Sequence, residues 1–254
     1  MPQKNSRFIF LIALILTQLP FLLGFLLQDG QHTYTGLLLN PSYGFSYLAK
    51  MQIGLRGEWV FHLPYTAQEG QGALIFLFYI FLGHIARIFH LQPILVFHIA
   101  RFVAVVIFLL GLEKYLRAIK VEWLRVVYPS LLFVILFGSG LGWLAGLLGL
   151  FTMDFWVAEA YPYLSIIANP HFPLGIGILI FFWARVQSAT DQVRWYDPLS
   201  GVLLSIVLPF GVVVGVTVIG FYTVFQLIQK RSIKWRLPLS FLFPAGIVLV
   251  YQYI

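Results

Sequence analysis

The chain has 254 residues, of which 60% are hydrophobic and 10% charged, with a formal net charge of +7 and no cysteine. Soluble domains carry about 25% charged residues, so this composition, with a mean hydropathy of +0.90, excludes a water-soluble domain and implies an integral membrane protein. Disulfides and thiolate metal sites are excluded as well, and the excess of base need not mean nucleic acid, because its placement follows membrane topology.

The first apolar block, residues 8–27, has the roughly 20 residues needed for the ~30 Å hydrocarbon core. Lys4 and Arg7 precede it and no small-residue cleavage pattern follows. It therefore reads as a retained first helix with a cytoplasmic N-terminus. Residues 28–92 are more polar and carry Asp29, Asn40, Lys50, Arg56, Glu58, His62 and Glu69. Inside them the block 73–90 has a short apolar part, ALIFLFYIFL, followed by Gly83, His84, Arg87 and His90 at near-helical spacing. Apolar runs of about 10 to 14 residues suit an interfacial or re-entrant helix better than a crossing.

Further spans are expected at 93–112, 124–150, 166–186, 198–229 and 237–254. Lys and Arg in short loops stay on the cytoplasmic side. If 73–90 crossed, Lys114, Arg117, Lys120 and Arg125 would fall outside. If it lies on the outer surface, they fall inside together with Arg185 and Arg194. The second arrangement makes 28–92 one large external loop. The run 198–229 would extend about 48 Å as a single helix, too long for one crossing and short for two. Arg194 precedes it, and Lys230, Arg231, Lys234 and Arg236 follow it, so an even number of crossings is required. The break LPFG at 208–211 supplies the turn, because Pro209 removes a helix hydrogen bond and Gly211 relaxes the backbone. The last block crosses outward and stops within an apolar run, as the front part of a longer chain would. The expected fold is an all-α polytopic transmembrane bundle of about 6–7 spans, a single membrane domain over 1–254.

On this map residues 151–171 are a second external loop, overlapping the stretch DFWVAEAYPYLSIIANPHFPLG (154–175), which carries Asp154, Glu159 and His171. Two polar loops on one side of a bundle can enclose a site, and carboxylates facing such a cavity mark substrate or ion paths. An exposed loop carboxylate is otherwise a solvated residue. Trp143, Phe155, Trp156, Tyr161 and Tyr163 suit an interfacial aromatic belt.

Residues 41–66, PSYGFSYLAKMQIGLRGEWVFHLPYT, lead from a loop Tyr through a helix to Gly57-Glu58-Trp59. A surface helix and then FHIAR, 97–101, follow. This order of elements resembles the N-terminal half of GT-C membrane glycosyltransferases, which include protein mannosyltransferases and the aminoarabinose transferase class. The resemblance implies transfer of a sugar from a polyprenyl-phosphate carrier, on the outer face of a bacterial-type inner membrane, with membrane lipid and the lipid-linked donor as partners. It implies a general base within reach of the acceptor hydroxyl, with Asp29, Asp154 and Glu159 as candidates. Cationic partners for the leaving phosphate are also needed, with Lys50, Arg56 and Arg101 as candidates. Glu58 and His171 are further candidate substrate contacts. A divalent cofactor has no ligand motif here, since the spacing of Glu58, His62 and Asp154 matches none. The chain departs from the family pattern at Tyr43 and Gly44, where an acidic pair is expected four residues before Tyr47. Asp29 then takes that role, or the chain is a divergent or inactive member.

Each candidate has a structural alternative. Arg101 can snorkel to the interface, Lys50 and Arg56 can sit among lipid headgroups, Glu159 can stabilise a turn, and His171 beside two prolines can be structural. Two other functions compete, a transporter and a structural or assembly subunit. A transporter wants ionisable residues in mid-span. Residues 11–27, 131–150 and 202–218 have none, which favours a surface-facing transferase.

Overall fold

Long runs of Leu, Ile, Val and Phe propagate helices here, and proline and glycine set several of their ends, while Pro20, Pro129 and Pro244 stand inside helices. The computed structural model describes residues 3–67, 70–119, 122–138, 142–188, 192–229 and 234–253. Glu69, Lys120, Lys230 and Arg231 lie outside the described residues, as do the side chains of Lys4, Arg125 and Trp143. The described chain forms α1 (Gln3–Leu26), α2 (Pro41–Arg56), α3 (Leu77–Ile88), α4 (Pro93–Ala118), α5 (Glu122–Phe137) and α6 (Gly142–Gly146). It continues through α7 (Pro162–Ile167), α8 (His171–Gln187), α9 (Tyr196–Val207), α10 (Pro209–Ile228) and α11 (Arg236–Tyr253). Pro41, Pro93, Pro162 and Pro209 each occupy a first helical position, where the missing N–H costs nothing and φ is already set. Gly57, at φ 95°, ends α2: its N–H bonds to the Gly54 carbonyl and the next N–H, of Glu58, to that of Ile53.

The all-helical class is as expected. Among the described residues three helices, Arg7–Leu26, Pro93–Ala118 and Pro209–Ile228, are long and apolar enough to cross a membrane. The block at 73–90 yields only the 12-residue α3, about 18 Å long, too short for a crossing. Two expected spans are corrected. Residues 124–150 are not one helix, because α5 ends at Phe137 and the separate short α6 follows at Gly142. Residues 166–186 are divided into α7 and α8, since Pro170 disfavours helical geometry at Asn169 and Ala168 has left it, at ψ −114°. The run 198–229 does break at LPFG: Leu208, at φ −144° and ψ 77°, separates α9 from α10.

The three most extensive helix pairings are α4 with α8, α2 with α3, and α9 with α11. Glycine stands at each crossing. A Cβ on Gly54 would collide with the Ile80 carbonyl, one on Gly83 with the Met51 carbonyl, and one on Gly201 with the Phe241 carbonyl. On Gly177 it would come within 2.9 Å of the Phe108 Cα. Small residues let backbones approach this closely, and van der Waals packing then holds helices that gain nothing from hydrophobic exclusion in lipid. Gly83→Ala is therefore expected to cost about 1–3 kcal/mol through overpacking, read as a lowered unfolding midpoint in detergent. An unchanged midpoint would mean that α2 and α3 can separate freely.

Three apolar clusters follow from these pairings. Met51, Tyr79 and Phe97 join α2, α3 and α4. Val105, Phe108, Leu132 and Leu136 join α4 to α5, with Ala13 of α1. Phe182, Leu204 and Phe241 join α8, α9 and α11. Apolar side chains such as Leu11 and Leu22 of α1, Phe221 of α10 and Phe243 of α11 remain exposed, in uncharged faces of the kind that contact lipid.

The bundle has two chemically distinct ends. At one, α2 and α3 pack over the start of α4, and the Leu74 N–H donates to the Tyr251 hydroxyl near the end of α11 at 3.1 Å. At the other, Lys114 Nζ lies 3.8 Å from the Phe181 ring centroid, and Arg185 forks onto Asp197 with contacts of 3.2 and 2.8 Å. The charges of Arg185 and Arg194 both act on Lys114. Three of the basic residues that the topology argument grouped together, Lys114, Arg185 and Arg194, therefore lie at the end opposite to α2 and α3.

Candidate functional site

Tyr47 and Lys50 are three residues apart and share one face of α2. That face meets α3 because the Gly54 and Gly83 backbones touch, and it meets the start of α8 because Pro170 turns the chain there. Tyr47 stacks on Tyr79 with ring centroids 4.3 Å apart and 11° between planes. The Tyr79 hydroxyl and His171 Nδ1 form a 2.5 Å hydrogen bond, and the His171 ring meets Tyr47 edge-on at 5.0 Å. Lys50 Nζ donates to Ser46 Oγ at 2.9 Å and lies 4.1 Å from the Phe76 ring centroid and 5.1 Å from that of Tyr47. The Lys50 charge is felt at His171.

The second loop completes the group. The Ser165 hydroxyl donates to the Ala158 carbonyl and ties the segment before α7 to its first turns. This holds the neighbouring, exposed Glu159 where its charge acts on Tyr47. Burial raises the Tyr47 hydroxyl above its usual pKa, and Glu159 and Tyr43 push it further. Burial also lowers the Lys50 ammonium below the usual lysine value. A lowered pKa means that the neutral, nucleophilic amine is present at lower pH. Lys50 is accordingly expected to be acylated by an amine reagent at a lower pH than an ordinary lysine, as peptide mapping across a pH series would show.

Of the eight residues singled out from the sequence, Lys50 and His171 both adjoin Tyr47, and the exposed Glu159 acts on Tyr47 through its charge. The others make different contacts. Asp29 is exposed and accepts the N–H groups of Gln31 at 2.8 Å and His32 at 2.7 Å. These two bonds, Gln31 first, hold its carboxyl below the usual range. Arg56 and Glu58 form an exposed ion pair with each other at 3.2 Å. Asp154 accepts the Gly142 N–H at 2.8 Å and the Thr152 hydroxyl, which fastens the loop to the start of α6. Arg101 turns into the bundle and is only 1% exposed. It donates to the Thr17 carbonyl and to Gln18 Oε1, both at 2.8 Å.

Sequence reading passed over Tyr79 and Phe76, which lie in or beside an apolar run and carry no local sign of polar work. The available signal was the pair of glycines, Gly54 and Gly83, which mark two helices able to approach closely. A separate cavity of about 610 Å³ opens in the loop over 61–75, lined by Phe61, His62, Thr66, Gly72 and Ile75 among others. Among the described residues no three His, Asp or Glu side chains are grouped as metal ligands.

The arrangement combines a cation on an aromatic floor, a nearby carboxylate, and an imidazole held by a phenol. Such a set can bind an anion, accept a proton and stack against a sugar or other ring. Compared with known proteins, the chain matches no family, no curated protein and no solved structure.

Proposed function

We propose that this chain is a multi-pass membrane glycosyltransferase that moves a sugar from a polyprenyl-phosphate carrier to an acceptor at the membrane face. The observation that carries this reading is that Lys50 and His171 flank Tyr47, on which the charge of Glu159 from the second loop also acts, at the end of the bundle away from Lys114, Arg185 and Arg194. In the proposed topology α1, α4, α5, α8 and α11 cross, α9 and α10 form one hairpin that turns at Leu208, and α2 and α3 lie on the outer surface. Grouping of Lys114, Arg185 and Arg194 at the other end supports that orientation.

In the proposed reaction an acceptor hydroxyl oxygen attacks the anomeric carbon. The bond from that carbon to the phosphate oxygen breaks, and the lipid phosphate leaves with the electron pair. Glu159 takes the hydroxyl proton as general base, and Lys50 balances the charge on the leaving phosphate. His171 and Tyr79 position Tyr47 beneath the sugar. Glu159 is preferred over Asp29, whose carboxylate already accepts two backbone N–H groups. Tyr43 and Gly44 supply no acid, and a side chain on Gly44 would run into Leu37. The test is transfer of labelled sugar from polyprenyl-phosphate donors by the full chain in proteoliposomes. Glu159→Gln is expected to lose transfer while Asp29→Asn keeps it; equal rates in both would remove Glu159 from the reaction.

One observation favours transport as a second reading. Arg101 is a mid-span charge of the kind transporters use, bonded to Thr17 and Gln18 in the middle of α1. Uptake of the same lipid-linked sugar's water-soluble headgroup into empty liposomes, without transfer, would support it.

A further inference from the structure

Arg101 is the ninth residue of the 26-residue α4, about 12 Å from its start, and it is 1% exposed. A guanidinium stays protonated in proteins, and a buried charge without a counter-charge is among the costliest features a fold can carry. The two terminal nitrogens of Arg101 reach only neutral acceptors, the Thr17 carbonyl and Gln18, and its face rests 3.8 Å from the Phe21 ring centroid. Among the described residues no carboxylate acts on it, and the titratable group whose field reaches it is the Tyr34 hydroxyl.

The surrounding polar atoms are unsatisfied in the same way. Arg101 Nε, the Tyr34 hydroxyl and both ring nitrogens of His98 are buried without a hydrogen-bond partner. His98 Nε2 lies against the Gly36 backbone at a geometry short of a hydrogen bond. The three side chains belong to one aromatic cluster: Phe21 packs on His98 at 5.0 Å, and Phe25 packs on Tyr34 at 5.0 Å and on His98 at 6.0 Å. Native folds rarely leave several such groups orphaned together, and each of these three can donate a hydrogen bond.

We infer that Arg101, His98 and Tyr34 form a binding site for one anionic group, inside the bundle between α1 and α4 and beneath the loop over 31–38. The anion supplies the missing counter-charge and accepts from Arg101 Nε–H, the Tyr34 hydroxyl and an N–H of His98. Its source is either a free small anion or the phosphate of a lipid headgroup reaching in between the helices. This site is separate from Lys50 and Glu159 and does not depend on the transferase reading.

The test is the unfolding midpoint of the full chain in neutral detergent, with gluconate exchanged for chloride, nitrate or inorganic phosphate at constant ionic strength. A parallel series compares phosphatidylcholine vesicles with vesicles containing phosphatidylglycerol. A bound anion at about a hundredfold excess over its Kd is expected to raise the midpoint by about 5–10 °C. Tyr34→Phe and His98→Phe, which leave the Arg101 contacts to α1 intact, should each weaken the response at least tenfold in anion concentration. A rise with chloride, nitrate or phosphate supports a free anion, and a rise confined to phosphatidylglycerol supports a headgroup. No rise in either series, or a rise undiminished in both variants, would overturn the site.

Discussion

Asp197→Ala is expected to cost about 3–5 kcal/mol of stability, because it leaves a buried guanidinium without its counter-charge. The Arg185 and Asp197 side chains are 8% and 3% exposed, and Asp197 also accepts the Arg194 N–H at 2.7 Å. One Arg185 nitrogen additionally donates to the Gln192 carbonyl at 2.8 Å. This single carboxylate therefore joins the end of α8 to the start of α9. Unfolding of the variant in detergent measures the cost. The double replacement Arg185→Met with Asp197→Leu removes both charges and is expected to recover most of it. If Asp197→Ala unfolds within about 1 kcal/mol of the parent, water reaches the pair and the burial argument fails.

Under the proposed transferase reading, Lys50→Ala is expected to lower sugar transfer by about 100- to 1,000-fold, the usual consequence of removing a group that stabilises charge developing in a transition state. The chain should fold almost unchanged, since the amine has one hydrogen bond, to Ser46 Oγ, and two ring contacts. Lys50→Arg keeps the charge on the same aromatic floor and should restore a measurable part of the rate. Arg56→Ala is the informative control: Arg56 is equally basic and equally placed by sequence, but it is paired with Glu58. If Arg56→Ala loses as much transfer as Lys50→Ala, the two loops meet somewhere other than at Lys50.

How much of this was legible beforehand varies by residue. Pro209 and Gly211 announced the break between α9 and α10, because proline disfavours helical geometry at the residue before it, here Leu208. Lys114, Arg185 and Arg194 could be assigned to one end by counting charges. The division at Pro170 was equally written in local chemistry but was overridden by the apolar run around it. Asp154 and Glu159 looked equivalent, and only the fold gives the first to the Gly142 N–H and leaves the second exposed near Tyr47. From the sequence Arg101 reads as a phosphate contact or an interfacial snorkelling residue, because it stands in the outer part of its span. Its real partners, Thr17 and Gln18, are more than 80 positions away.

By itself the sequence determined what each residue does to its own backbone and to its solvent. Composition points to a membrane, apolar length selected helices, prolines and glycines placed several of their ends, and basic residues marked one end of the bundle. The tertiary structure alone decided which helices touch, and through them which polar groups meet. Gly54 against Ile80 brings α2 to α3, and that contact sets Tyr47 on Tyr79 and Tyr79 on His171. The reason is that helix periodicity is a local property, whereas a close crossing depends on the shapes of two surfaces far apart in the chain.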